Sequence, residues 1–392
     1  MNRIRVLNAI SEKGLRLFND GYAVGKETAD PDALIVRSAP VDVTVFPGLH
    51  AVARAGAGVN NINVAEATKH GIAVFNTPGG NANAVAELVF AVLGAEARNL
   101  GQAIHFAKTA EGSTDAELAK FIEKGKGRYS GFELAGKTLA VIGLGKIGVL
   151  VANAGVAKGM RVVGHDAFPT MANMHRLDAR VEIGKTVEDA IAGADIVSLH
   201  VPLVPETQNL IGEKAISSMK NGAILVNYAR DGIVDDRKAI EALGSEKLAL
   251  YISDFPTKAL IACPKVVCTP HLGASTAEAE ENCAVMAVRA LKDYLELGTV
   301  VNSVNFPALE LRPRHGAVSR LAVVNRDKPD MIGAVAHTLG KAGINIQALA
   351  NESNGTIGYS LADFECEIPE AVLREISKID GVLKVRYLRF VR

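Results

Sequence analysis

At 392 residues, 48% of them apolar and 22% charged, the chain is globular and too long for one ordinary core, so two or three domains are expected. Lys plus Arg and Asp plus Glu number 43 each, which removes the electrostatic footprint of a protein that tracks nucleic acid or an anionic membrane. The longest apolar run, AVAELVFAVLGAEA, carries Glu87 and Glu96 and is too short for a bilayer. The chain opens straight into an alternating strand with no leader-like segment, and Cys263, Cys268, Cys283 and Cys366 form no metal spacing. A cytoplasmic protein without a metal is therefore expected.

In chain order, the first zone alternates short β-branched runs (IRVLNAI, ALIVRS, AVARAG, IAVFN) with helical patterns, the rhythm of parallel strands and crossover helices. A long helix is predicted from about Asn83 to Ala103, with Gly94 inside it. The next zone repeats the alternation with TLAVIG, RVVGHD, DIVSLHV, AILVNYA, LALYIS and KVVCTPH, continuous apolar runs suited to a sheet covered on both faces. A second long helix, TAEAEENCAVMAVRALKDYLELG, leads away from it. Two long helices bracketing one α/β unit predict an inserted domain, with a ligand cleft where it meets its host. After the Pro-containing linker FPALELRPRHGAVS, the order strand, helix, strand, strand, helix, strand is that of a ferredoxin-like module with exposed edges.

The strongest motif is LAVIGLGKIG. Gly143, Gly145 and Gly148 form GxGxxG between a strand and a helix, and Asp166 ends the next strand, roughly 20 residues on. The first glycine suits a tight turn, the second a close approach to a pyrophosphate, and the third helix–sheet packing. A diphosphate would rest on the helix N-terminus. A carboxylate at Asp166 accepts bonds from a ribose 2′-hydroxyl and repels a 2′-phosphate, so NAD is expected over NADP. Arg230 and His271 follow strands at the same sheet edge. A guanidinium can hold a carboxylate bidentately, and an imidazole with an ordinary pKa near 6.5 can take a hydroxyl proton as hydride leaves carbon. The bland alternatives are a surface arginine and a structural histidine.

VIGLGKIG, GHD, HVPLVPETQNLI, LVNYARDGIVDD and TPHLGAST resemble, in order, the signatures of the NAD-dependent D-2-hydroxyacid dehydrogenases. LIVRSAPV, RAGAGVNNINV and FNTPGGNANAVAEL resemble that family's split substrate domain, and NRDKPDMIGAVAHTLGKAGINI resembles an ACT domain. The resemblance implies a Rossmann-type doubly wound NAD domain (91–275) inserted into a flavodoxin-like substrate domain (1–90 and 276–305), followed by a βαββαβ ACT domain (317–392). It is nearest to the ACT-bearing branch that oxidises 3-phospho-D-glycerate with NAD, at the entry to serine synthesis. It implies that Arg230 holds the substrate carboxylate and that His271 is the acid/base. Thr77, Gly143, Gly145, Lys146, Ile147, Gly148, Asp166, Val201, Pro202, Tyr228, Ala229, Arg230 and His271 fall where the family lines its cofactor, and Arg37, Ser38, Arg54, Asn81 and Arg230 where it contacts substrate. Arg37 and Arg54 could each fork onto phosphate oxygens. A homodimer or homotetramer is implied, with serine as an effector at the ACT domain.

Three departures from the family pattern raise questions. In YISDFPTKAL, Ser253 takes the family's Asp position, Asp254 its Val position and Lys258 the position of the Glu that partners the histidine. Adjacent strand residues face opposite ways. The expectation is that a local slip turns Asp254 inward, onto the cofactor in the favoured form or in place of the missing acid in the other, while Lys258 is a solvated surface residue. If Asp254 faces away, a dyad of Arg230 and His271 carries the chemistry. Asp330 stands where the ACT turn has Gly, crowding a pocket in which Asn325 and Asn345 could bind an amino acid. Lys124, Lys126 and Arg128 read as a solvated basic loop, with reach to a substrate phosphate as the alternative. Two rival readings of the whole chain stand beside the favoured one: a hydroxypyruvate or glyoxylate reductase, and a non-catalytic NAD-sensing protein of the corepressor type.

Overall fold

The computed structural model describes residues 1–112 and 114–390; residues 391–392, the end of the expected C-terminal module, lie outside them. The chain forms two compact units, Met1–Asn81 with Ala277–Arg392, and Ala82–Thr276.

In the second unit Thr138–Ile142, Arg161–His165, Glu182–Ile183, Ile196–Leu199, Ala223–Asn227, Leu248–Ser253 and Val266–Cys268 make one sheet. All its neighbouring strands are parallel. Along the sheet the third, second and first strands are followed by the fourth to the seventh, the Rossmann order extended by one strand. The central runs TLAVI, IVSL and AILVN are almost wholly buried because helices cover both faces. The two-residue strand Glu182–Ile183 is exposed and carries no apolar run, which is why no sequence pattern announces it.

The predicted single helix over 83–103 is two helices, Ala82–Ala97 and Leu100–Lys108. Asn99 between them is left-handed (φ 49°), and the Ala97 carbonyl accepts Phe132 N instead of continuing the ladder. Val85, Ala86, Val89 and Leu93 join the core of the second unit. The expected boundary at 90/91 therefore falls inside a helix that belongs as a whole to that unit. The expected basic loop is also helical, as Asp115–Gly125 and a 3₁₀ turn, Lys126–Tyr129. Lys126 pairs with Glu123 at 2.7 Å, and Arg128 lies over the Phe106 ring.

In the first unit Tyr22–Gly25, Asn2–Leu7, Ala33–Val36, Ala51–Arg54 and Ala73–Phe75 lie side by side in that order, all parallel. This is the flavodoxin-like order, second, first, third, fourth, fifth. The helix Ala277–Leu297 buries Cys283, Ala287, Val288, Leu291 and Tyr294 in the same core as Phe75.

The C-terminal segment has the expected order: Ser319–Arg326, helix Met331–Lys341, Ala348–Ser353, Ile357–Phe364, helix Glu370–Ser377 and Val382–Arg389. Its four strands form an antiparallel sheet in the order second, third, first, fourth. The sheet is not a free module beyond a linker. One face, with Ala322, Val324, Tyr359 and Leu361, shares the core of Tyr294 and Phe306, while Leu321, Val323, Ala362 and Phe364 pack with the module's own helices. Side chains of the sheet also cap the end of the long helix. Arg386 donates to the carbonyls of Tyr294 (3.0 Å) and Leu295 (3.2 Å), Arg320 to Leu297 (2.7 Å), and the Tyr359 hydroxyl to Gly298 (2.6 Å). Cations suit carbonyls at a helix C-terminus and the negative end of the helix dipole.

The same junction holds a pH-sensitive pair. Burial, with Arg386 and Lys384 nearby, lowers the His50 imidazole from 6.5 to about 3. Burial, with Arg386, lowers the Lys384 ammonium from 10.5 to about 8, although its Nζ donates to the Leu49 carbonyl. In both cases the unfolded chain holds the proton more tightly. Stability is therefore lost as pH falls from 6.5 towards 3 through His50, and gained as pH rises from 8 to 10.5 through Lys384. His50→Gln is expected to flatten the acid limb of a melting-temperature profile between about pH 7 and pH 5 relative to the parent; identical limbs would remove His50 as its cause.

Candidate active site

Each strand end of the second sheet delivers its residues to the carboxyl edge, where ligands of doubly wound sheets sit. After Thr138–Ile142 the chain turns at Gly143 (φ 95°), where a Cβ would stand 2.6 Å from the His200 carbonyl oxygen and 2.9 Å from Val201 Cγ1. At Gly148 a Cβ would collide with the Gly143 carbonyl. At Gly145 it would meet no atom within 4 Å. The first glycine thus makes the turn, the third packs the helix, and the second leaves its space open. Gly145 also starts the helix Lys146–Ala157 without a side-chain cap bond, so its first N–H groups suit an anion. Asp166, after the next strand, accepts Leu144 N (2.7 Å) and Phe168 N (2.8 Å), which ties the acid to the glycine loop. These features fit a dinucleotide.

Val201 and Pro202 follow Ile196–Leu199 beside this turn. His200, just before them, is kept neutral, its pKa lowered by burial to about 3, and its Nε2 lies 2.9 Å from Ser198 Oγ.

Three adjacent strands, ending at Asn227, Ser253 and Cys268, carry the rest. The buried Asn227 fixes the loop that follows it, accepting Ala229 N (3.1 Å) on its amide oxygen and donating to the Arg230 carbonyl (2.9 Å). Arg230 is exposed, with Nη1 donating to the Ala229 carbonyl at 2.7 Å. His271, also exposed, is left-handed (φ 57°), and its ring packs edge-on against Phe255 with centroids 5.2 Å apart. The strands bearing Arg230 and His271 are separated by one other strand, placing their axes about 10 Å apart.

Asp254 is 2% exposed. Its carboxylate accepts Thr269 Oγ1 (2.5 Å) and Leu272 N (2.8 Å) on one oxygen and Gly273 N (2.9 Å) on the other. The expected inward turn of Asp254 thus takes a different form: its oxygens are turned to the backbone of the His271 loop and do not stand in for an acid against the ring. Tyr228 Oη lies 3.3 Å from Thr269 Oγ1, and burial, with the Asp254 charge adding to it, pushes the phenol up to about 12. Lys258 is exposed at the start of the helix Lys258–Ala262. Asn227 and Thr269 were passed over by the sequence reading; a polar residue closing an apolar run (ILVN, VVCT) is the signal that marks them.

In the first unit the expected substrate residues, and Thr77 of the expected cofactor set, also lie at the carboxyl ends of adjacent parallel strands. Arg37 and Ser38 follow Ala33–Val36, Arg54 closes Ala51–Arg54, and Thr77 and Asn81 follow Ala73–Phe75. Arg37 Nη1 pairs with Glu280 at 2.7 Å. Arg54 donates to the carbonyls of Arg37 (2.8 Å) and Gly58. Ser38 N donates to Asn8 Oδ1 (3.2 Å). Thr77 is buried and donates its N–H to the Gly56 carbonyl.

In the C-terminal segment Asn325, Asp330, Asn351 and Ser353 line a pocket of about 200 Å³. Asn345, expected there, is exposed outside it, and Asn351 from the edge strand takes its place. Asp330 is left-handed (φ 66°), the conformation a glycine would adopt freely.

A Rossmann sheet with a glycine loop, a ribose-type acid and an exposed arginine and histidine at one edge defines the dinucleotide-dependent dehydrogenase class. Residues 97–273 match the family described as D-isomer specific 2-hydroxyacid dehydrogenase, NAD binding domain. D-3-phosphoglycerate dehydrogenase of Haemophilus influenzae is 32% identical over 88% of this chain and 83% of its own length. That of Bacillus subtilis is 34% identical over 82% of this chain and 63% of its own length, and the second chloroplastic one of Arabidopsis thaliana is 36% identical over 78% and 50%. The chain thus spans between half and two thirds of the length of these last two relatives. NAD⁺-bound 3-phosphoglycerate dehydrogenase of Entamoeba histolytica superposes with a TM-score of 0.61 at 27% identity, over 79% of this chain and 99% of that one. The chain belongs to the D-isomer specific 2-hydroxyacid dehydrogenase family.

Proposed function

We propose that the chain oxidises 3-phospho-D-glycerate to 3-phosphohydroxypyruvate with NAD, the first step of serine formation. The observation that carries this reading is the convergence of the glycine loop, Asp166, Arg230 and His271 on the carboxyl edge of one parallel sheet. Gly143, Gly145, Lys146, Ile147 and Gly148 hold the diphosphate of NAD and Asp166 its ribose, with Thr77, Val201, Pro202, Tyr228 and Ala229 as further cofactor contacts. Bound NAD supplies the hydride acceptor. Arg230 grips the substrate carboxylate by two parallel hydrogen bonds. His271 takes the hydroxyl proton as the C2–H bond gives up its hydride, and returns it in the reverse direction. Arg37, Ser38, Arg54 and Asn81 are the groups for the phosphate end, which requires Arg37 to exchange its bond to Glu280 for one to the substrate.

The relatives named D-3-phosphoglycerate dehydrogenase support this substrate over a glyoxylate or hydroxypyruvate reductase. The C-terminal βαββαβ segment is read as an ACT domain whose pocket takes a small polar ligand such as serine, with Asp330 narrowing it. No helix among the described residues is long and apolar enough to cross a membrane. Exposed Leu100, Ile104 and Phe121 on the helices after residue 99 suit contact with a second copy, as a dimer or tetramer.

Spectrophotometry tests the function. NADH should appear with phosphoglycerate and far less with D-lactate or D-glycerate. NADH binding without turnover of any hydroxy acid would favour the NAD-sensing alternative.

A further inference from the structure

We propose that Asp254 is the positioning residue for His271, clamping the loop that carries the imidazole by its backbone. This deepens the function proposed above and rests on His271 being its acid/base.

Asp254 accepts from three consecutive residues: His271 N on its carbonyl (3.2 Å, shared with the Thr269 carbonyl at 3.0 Å), and Leu272 N and Gly273 N on its carboxylate (2.8 and 2.9 Å). Thr269 Oγ1 adds a fourth bond from the other side of the histidine. A carboxylate in a buried position is costly unless its oxygens are hydrogen-bonded, and bonds from N–H and O–H to an anion are the stronger kind. Here the bonds flank a residue in the left-handed region (φ 57°), which is unfavourable for a non-glycine residue and persists only where the surroundings over-determine it. The conformation of His271 is therefore imposed by Asp254.

Lys258 supplies no carboxylate to the ring and lies exposed on the next helix. The ring's direction is left to two things, the backbone that Asp254 fixes and the edge-on contact with Phe255. Asp254 is itself anchored to the neighbouring strand end, since its N–H donates to the Asn227 carbonyl at 3.1 Å. Asn227 holds the Arg230 loop by the same device. The carboxylate acts through the loop and does not touch substrate.

The test uses the full chain with two variants, Asp254→Asn and Thr269→Val, and two measurements. An amide at 254 offers one oxygen, and its NH₂ must face an N–H donor. Asp254→Asn is expected to lower kcat by about 10–100-fold, the order of loss that a misplacement of about 1 Å causes. KM for phosphoglycerate and Kd for NADH should stay within about threefold, since neither is bound by this carboxylate. Amide hydrogen exchange in a peptide spanning 269–276 should speed up. Thr269→Val, which removes only the hydroxyl bond, should show smaller changes in the same sense, and it decides the matter if Asp254→Asn does not fold. A loss in NADH affinity with kcat preserved would make Asp254 a cofactor contact and overturn the proposal. So would unchanged exchange in the folded variants. If the parent turns over no hydroxy acid, the proposed function fails, while the exchange measurement still decides whether the clamp exists.

Discussion

His271→Ala is expected to lower kcat by about 10²–10⁴-fold, the usual worth of a positioned general acid or base, with the Kd for NADH almost unchanged. The expectation follows from where the residue sits. It is exposed at the carboxyl edge of the sheet, one strand beyond the Asp254 strand end, with its ring against Phe255. Its backbone is held by the bonds that three neighbours, Thr269, Leu272 and Gly273, make to Asp254, so removing the ring takes away a proton acceptor and leaves the loop intact. The glycine loop and Asp166 lie at other strand ends, which separates cofactor affinity from chemistry. A kcat within about tenfold of the parent would mean that another group moves the proton, and a matching loss of NADH affinity would mean that His271 holds the cofactor.

Legibility in the sequence followed physical conspicuousness. Long apolar runs covered on both faces, such as AILVN and TLAVI, identified the central strands, whereas Tyr22–Gly25 and Glu182–Ile183 are short edge strands without such a run. GxGxxG was legible because each of its glycines answers a different local demand: a positive φ, open space and a contact too tight for a Cβ. The break at Asn99 was not, because it rests on a left-handed residue and on the tertiary bond from Phe132 N to the Ala97 carbonyl, which apolar periodicity does not reveal. At Asp254 the sequence revealed a displaced carboxylate but not its partners, which come from a loop 15 to 19 residues further along the chain. The C-terminal order of strands and helices was readable from periodicity. Its burial against the helix Ala277–Leu297 was not, since a buried arginine in a strand looks the same in sequence as an exposed one.

That arginine sets the largest stability effect. Arg320 and Asp363 are both fully buried, joined by Nε to Oδ1 (2.6 Å) and Nη2 to Oδ2 (2.9 Å), and the remaining Nη1 caps Leu297. Asp363→Ala strands a guanidinium that cannot shed its proton in a fully buried site, and is expected to cost about 3–5 kcal/mol. Arg320→Met should cost a similar amount, because it leaves a buried carboxylate and uncovers the Leu297 carbonyl. The double variant Arg320→Met with Asp363→Leu removes both charges and should recover much of the loss, since well-packed apolar replacements of buried pairs are often neutral. Urea unfolding of the three variants measures this as a coupling energy, read on the transition of the first unit. Additive losses would show that the two charges act independently. Strong coupling with a double variant close to the parent would show that the pair's main energetic role is to avoid an unpaired charge, and that the shared apolar core around Tyr294 and Tyr359 is what binds the C-terminal sheet to the long helix.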